Sequence, residues 1–256
     1  MKEKLGLMFG LVLFVIIISG MIYLIAVSRG SGEAEVFTRI GLSGNSLLTA
    51  SDYLMSTNLS GKVDYSELTL PVIKSRIEHH PYVKRAEVQT DGSGKVLIKI
   101  FEKKMKALIL TGSVPELVTE RFELVKLEKN TDITDLPVIS NVNLKKREKP
   151  GISVNSVELK RAFKIIDAMY FTNESMYKNL AEINLRYGGD IVLTFSGIDY
   201  PVIFGKGNEV KKIIKLSAIW KKLINKDKLF ANSKYVDLRF NSEIFIGKPV
   251  TAELNG

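Results

Sequence analysis

The chain has no cysteine, two histidines, one tryptophan and seven prolines among 256 residues. Without cysteine there is no disulfide scaffold, no thiolate zinc site and no thiol nucleophile. Two histidines supply metal-binding and general-base chemistry only thinly. Negative charge is also short, with 37 Lys and Arg against 28 Asp and Glu and a net charge of +9. That balance favours anionic partners such as nucleic acid or acidic lipid, without separating them. Apolar residues, by contrast, make up 45% of the chain, which excludes a disordered polymer and suffices for one or two compact cores. An ordinary enzyme is already the weaker reading.

Leu5 to Val27 reads LGLMFGLVLFVIIISGMIYLIAV, without a charged or amide side chain. As a helix this run reaches about 35 Å, against a hydrocarbon core of about 30 Å. A cleaved signal peptide is the rival, and Ala26-Val27-Ser28 has suitably small residues. The apolar run, however, far exceeds the usual signal-peptide core. The expectation is a cytoplasmic tail over 1–4, a transmembrane helix over 5–27 and a polar linker over 28–35. Lys2 and Lys4 precede the run and everything foldable follows it, so the folded part is expected outside the cytoplasm, away from nucleic acid.

Beyond the linker, residues 36–105 read as a small α+β unit in the order strand, helix, helix, strand, strand. Val36–Ile40 suits a strand and Gly41–Ser46 a turn. Leu48, Tyr53, Leu54 and Met55 have helical spacing, and a second helix begins near Pro71 and ends at Pro81, since proline suits a first turn and closes a helix ahead of it. Val72, Ile73, Arg76, Ile77 and His80 share one face of it. Two strands then flank Asp91-Gly92-Ser93-Gly94, with Ala86, Val88 and Thr90 alternating before the turn and Val96, Ile98 and Ile100 after it.

Residues 106–256 read as a larger mixed β-sheet domain with two main helices. Strands are predicted over Lys106–Leu110, Arg121–Leu127, Leu136–Ile139, Leu185–Tyr187, Ile191–Phe195, Tyr200–Phe204 and Tyr235–Phe240, with a last one near Ile244–Ile246. Gly188-Gly189 reads as a two-residue hairpin turn. One helix starts at Asn155 with Glu158 as its capping-box partner, the other runs from Asn208 to Ile224 with lysines over its polar face.

Four motifs invite chemistry, and each has a plainer reading. His79-His80 lacks a third ligand, and neighbouring helical residues point about 100° apart. Ser175-Met176-Tyr177-Lys178 fits a Ser-x-x-Lys pattern but lacks the companion Ser-Asp-Asn and Lys-Thr-Gly elements, and reads as a loop leading into a strand. Gly205-Lys206-Gly207-Asn208 lacks the phosphate-loop pattern and reads as a tight turn capped by Asn208. The lysines of the last helix make a solvated face, with lipid-headgroup contact as a secondary reading. No catalytic, cofactor or metal site is expected.

Several passages resemble the bacterial cell-division family FtsQ/DivIB. Ile40-Gly41-Leu42-Ser43-Gly44-Asn45 is similar to that family's strand and Gly-Asn turn. Ile77-Glu78-His79-His80-Pro81-Tyr82-Val83-Lys84-Arg85-Ala86-Glu87-Val88 resembles its helix, proline, aromatic, valine passage. Leu97 to Lys104 is similar to its strand ending in Glu102 and a basic residue. Ile203-Phe204-Gly205 and Tyr235-Val236-Asp237-Leu238-Arg239-Phe240 resemble its closing elements. Met105 stands where the family has proline, Asp91–Gly94 where it has an aromatic-Pro turn, and Phe240 where tyrosine is usual.

The resemblance implies a POTRA domain over 36–105, with Gly44, Asn45, Pro81, Tyr82, Val83, Ala86, Val88 and Glu102 as its structural motif, then an FtsQ-type β domain. It implies a non-catalytic scaffold of the divisome, in the cytoplasmic membrane at the septum, helping to control septal peptidoglycan synthesis. FtsB-like and FtsL-like division proteins would dock by strand addition at the last strand, near Phe240, Ser242, Ile244 and Ile246. Other divisome members would dock on the POTRA domain. An edge strand offers unpaired main-chain groups suited to such addition, although Ile244 and Ile246 equally suit the sheet's own core. A POTRA-bearing translocation or assembly component and an anchored cell-wall enzyme are the alternatives.

Overall fold

The structure, a computed structural model, describes residues 14–23, 39–60, 68–110, 114–133, 136–143, 153–240 and 243–248. It corrects the expected fold on one point. Helix α1 is described over 14–23. Among the described residues no helix is long and apolar enough to cross a membrane. The rest of the expected span, Leu5 to Val27, lies outside the described residues. The described fold is α+β.

The first unit runs β1 (Arg39–Ser43), α2 (Ala50–Ser56), α3 (Leu70–Glu78), β2 (Val83–Thr90) and β3 (Lys95–Glu102). Its sheet has the order β1-β3-β2, with β1 parallel and β2 antiparallel to β3. Thr49 and Asp52 form a reciprocal capping box on α2, satisfying donors that a helix start leaves open. Proline lies in the first turn of α3, which buries Ile73 and Ile77. The predicted face was too wide, for Val72 and Arg76 are exposed. Inward Val83 and Ala86 of β2 and Val96, Ile98 and Ile100 of β3 meet Tyr53, Ile73 and Ile77 in one cluster.

The second unit continues with β4 (Met105–Leu110), β5 (Glu116–Thr119), β6 (Leu124–Lys126), β7 (Val138–Ser140), α4 (Val157–Thr172), α5 (Glu174–Lys178), β8 (Leu180–Asn184), β9 (Val192–Phe195), β10 (Val202–Ile203), α6 (Glu209–Ile224), β11 (Tyr235–Asp237) and β12 (Phe245–Gly247). One sheet holds these strands in the order β12-β11-β10-β9-β8-β7-β4-β5-β6. Parallel pairs β7–β8 and β10–β11 need crossovers, supplied by α4 with α5 and by α6. The two long helices pack against each other and on the sheet over a large cluster that includes Ile166, Met169, Ile183, Leu193, Phe204, Ile213, Leu216 and Trp220.

Several predicted elements differ. Residues 116–126 form the hairpin β5–β6, with Phe122 at φ 63° in its turn, where one later strand was predicted. The Gly188-Gly189 hairpin is instead a longer connection between β8 and β9 with a 3₁₀ turn at Arg186–Gly188. The end of β7 captures it: Leu185 N–H donates to the Ser140 carbonyl and Tyr187 N–H to that of Asn141. Ser175–Lys178 is helical, because Asn173 caps α5 and Met176 is buried. Ser156, not Asn155, caps α4 by accepting from Leu159 N–H, while Glu158 accepts from Asn143 N–H at 2.9 Å.

Candidate functional site

The sheet ends at β12. Val236 N–H donates to the Pro201 carbonyl and Leu238 N–H to that of Ile203, so Val236 of β11 and Leu238 just after it turn their main chain toward β10. Tyr235 and Asp237 therefore turn theirs toward β12, where their partners are Gly247 and Phe245. Alternation then directs the N–H and C=O of Ile246 away from the sheet. Among the described residues β12 pairs with β11 alone, which leaves that outer margin open.

Side chains at this margin follow the same alternation. Ile244 and Ile246 are partly buried and pack against the large core cluster. Phe245 is exposed and meets exposed Phe240 edge to face, with ring centroids 4.7 Å apart. The side chain of Ile246 thus faces the core while its main chain faces outward. Ser242 lies outside the described residues. Phe245 was not singled out in the sequence, although period-two alternation sets it opposite Ile244 and Ile246.

A charged network braces the inner side of β11. Arg239 binds buried Asp237 through Nε at 3.0 Å and Nη2 at 2.7 Å, and reaches Asp190 at 3.2 Å. The guanidinium holds the Asp237 carboxyl below the usual range, and the two carboxylates raise that of Arg239 in turn. Gly205, at φ 67°, lies under Arg239, whose Cγ a β-carbon there would strike. Buried Lys212 donates from Nζ to the carbonyls of Phe204 at 2.8 Å and Lys206 at 3.1 Å. Asn208 takes the left-handed conformation and its side chain makes no cap bond, so Lys212, rather than a capping Asn208, closes this turn. Burial lowers the Lys212 pKa, opposed by Glu209, Asp190 and Asp237.

The motif residues of the first unit lie elsewhere. Gly44 sits at φ 82°, with the Ile100 carbonyl oxygen where a β-carbon would be. Asn45 donates to the Leu48 carbonyl at 2.8 Å. Glu102 gathers Ser46 N–H at 3.0 Å, Leu47 N–H at 3.0 Å, the Ser46 hydroxyl and the Tyr53 hydroxyl at 2.6 Å. Exposed Pro81 opens the chain from α3 into β2, where Val83 and Ala86 are buried and Val88 half-buried. Tyr82 crosses to the second unit: its hydroxyl accepts from Glu128 N–H at 2.8 Å and lies within 2.8 Å of Thr131 Oγ1. Leu117 of β5 and Val125 of β6 belong to the first unit's cluster. This junction is at the β4-β5-β6 end of the large sheet, opposite β12.

Chemical groups at the dismissed motifs are engaged structurally. Trp220 Nε1 donates to Ser175 Oγ at 3.1 Å, and Lys178 pairs with Glu174 at 2.7 Å. Among the described residues no three His, Asp or Glu side chains gather to hold a metal. No protein-family model matches the chain, and no curated protein matches it.

Proposed function

We propose that this protein is a non-catalytic scaffold of the bacterial divisome, held at the cytoplasmic membrane with its folded units outside the cytoplasm and gathered at the septum. An FtsB-like partner, itself paired with an FtsL-like one, adds a strand to the outer margin of β12. Through that contact the protein helps to control septal peptidoglycan synthesis, while the first unit docks further division proteins. The observation that carries this reading is the outward main chain of Ile246 on a terminal strand paired only with β11 among the described residues. Support also comes from the FtsQ/DivIB-like passages in both units. Each added main-chain bond contributes roughly 0.5–1.5 kcal/mol, and alternate side chains such as Phe245 supply selectivity.

The test is capture of the extracytoplasmic segment of an FtsB-like protein by the full chain, comparing wild type with Ile246→Pro and Ile246→Val. Proline removes the outward donor but none that faces β11, so the pairing with β11 is retained and binding falls about tenfold or more. The valine variant binds as wild type. Undiminished capture by a folded Ile246→Pro variant overturns strand addition, and peptidoglycan cleavage by the purified chain overturns the scaffold reading.

A further inference from the structure

Away from β12, the outer side of the helical layer carries apolar side chains that the core does not use. Phe171 at the end of α4 is 82% exposed and Tyr170 58%, while Ile214 and Val210 on α6 are 54% and 46% exposed. Single exposed apolar residues need no explanation, but a contiguous group does.

Two ties fix how the helices that carry these residues lie against each other. Arg161 and Lys164 of α4 approach Glu209 at the start of α6, at 4.0 and 3.9 Å. Asn173, just past α4, donates to Ser217 of α6 at 3.2 Å. The helices therefore run parallel and in fixed register. Val210 follows Glu209, and Ile214 lies one turn before Ser217 on the same side of α6. Phe171 lies two turns after Lys164, which approaches Glu209, and so on the same side of α4. The apolar residues thus follow the outer seam between α4 and α6 rather than scattering over the layer.

Charge along the seam has one sign. Together α4 and α6 hold eight Lys and Arg against three acids. All three acids are occupied: Glu209 is buried beside Arg161 and Lys164, Asp167 pairs with Lys106, and Glu158 binds the Asn143 N–H. Lys164, Lys211, Lys221 and Lys222 remain exposed.

We propose that this seam is a second docking surface, which takes an acidic amphipathic helix of a partner protein. Apolar anchors of such a helix, spaced i, i+3 or i+4 and i+7, settle between Phe171 and Ile214, and its flanking carboxylates meet the lysines. An anionic membrane is the less fitting occupant. The broad apolar faces of α4 and α6 are spent on the core, and the few exposed apolar residues make a strip narrower than the full apolar face with which a helix lies in a bilayer.

The test titrates the full chain, in detergent, with a labelled synthetic helix of about 18 residues carrying leucine at those spacings and glutamate between them. A scrambled peptide of equal composition and phosphatidylglycerol vesicles are the comparisons. The patterned helix binds about tenfold or more tightly than the scrambled one, and Ile214→Asp or Phe171→Ser removes that preference. Lys221→Glu with Lys222→Glu weakens binding and its salt dependence. Ile246→Pro leaves it unchanged, which separates this surface from the one at β12. Equal binding of both peptides, indifference to the Ile214 and Phe171 changes, or binding to the vesicles alone overturns the proposal.

Discussion

His79 and His80 are adjacent in sequence, but only His80 is withdrawn from water. Its ring lies between Tyr53 and Tyr82, with centroids 4.7 and 5.4 Å away. Tyr82 N–H donates to Nδ1 at 3.2 Å, so the neutral ring carries its proton on Nε2, which faces Glu128 at 3.5 Å without forming a hydrogen bond. Burial lowers the His80 pKa below 6.5, against the opposing pull of Glu128 and then Glu102. Below 6.5 the unfolded chain then binds more protons than the folded one, so stability rises with pH through that window and is lost on acidification. Protonation at Nδ1 also removes the acceptor that Tyr82 N–H uses. The unfolding midpoint therefore falls between pH 7.5 and 5, and His80→Gln flattens that dependence; an equally steep curve in the variant assigns it to other groups. Gly44 makes a different kind of demand. Alanine there meets both the left-handed backbone and the Ile100 carbonyl, so Gly44→Ala costs about 1–3 kcal/mol by denaturant titration.

At the scale of elements, what could be read in the sequence was what period and proline decide. The helix after Pro71, the β2–β3 hairpin at Asp91–Gly94 and the long helix ending at Ile224 follow from patterns confined to their own residues. The missed elements were decided by distant ones. β5 is short and needs β4 and β6 on either side, and the glycine pair after β8 is overruled by carbonyls of β7 and the residue after it. The candidate site was legible only in part for the same reason. A terminal strand was visible, but which way Ile246 turns depends on hydrogen bonds between β10 and β11, which no local pattern encodes. Capping shows the limit within one turn: Asn155 and Ser156 both suit a helix start, and only the second accepts from the helix. Ser156→Ala accordingly lowers stability by about 1 kcal/mol, whereas Asn155→Ala, which loses only an exposed contact with Lys160, stays within about 0.5 kcal/mol of wild type. Equal losses in the two variants, measured by thermal unfolding, would exclude the assignment of the cap.

At the scale of the whole molecule, the two units share a boundary that is partly core and partly hydrogen bonds. Leu117 and Val125 extend the second unit's sheet into the first unit's cluster. Around them Glu120 N–H donates to the Lys104 carbonyl at 2.9 Å, Asp132 N–H to that of Leu47 at 2.8 Å and Glu128 N–H to the Tyr82 hydroxyl at 2.8 Å. The Tyr82 hydroxyl can be removed without opening a large cavity. Its loss in Tyr82→Phe removes the partner of the part-buried Glu128 N–H and costs about 1 kcal/mol. The location of that cost matters more than its size. Units joined by apolar packing with hydrogen bonds at its rim unfold together while the rim is intact, and separate when their interface becomes weaker than either interior. Amide exchange reads this directly, through protection of Ile98 and Ile100 in the first sheet and of Ile183 and Leu193 in the second. In the wild type the two groups open with the same free energy. In Tyr82→Phe the first group opens at lower free energy while the second keeps its protection, because the larger cluster around α4 and α6 does not depend on the junction. A parallel drop in both groups would mean that the boundary is continuous core and that the hydroxyl contributes to a single cooperative unit.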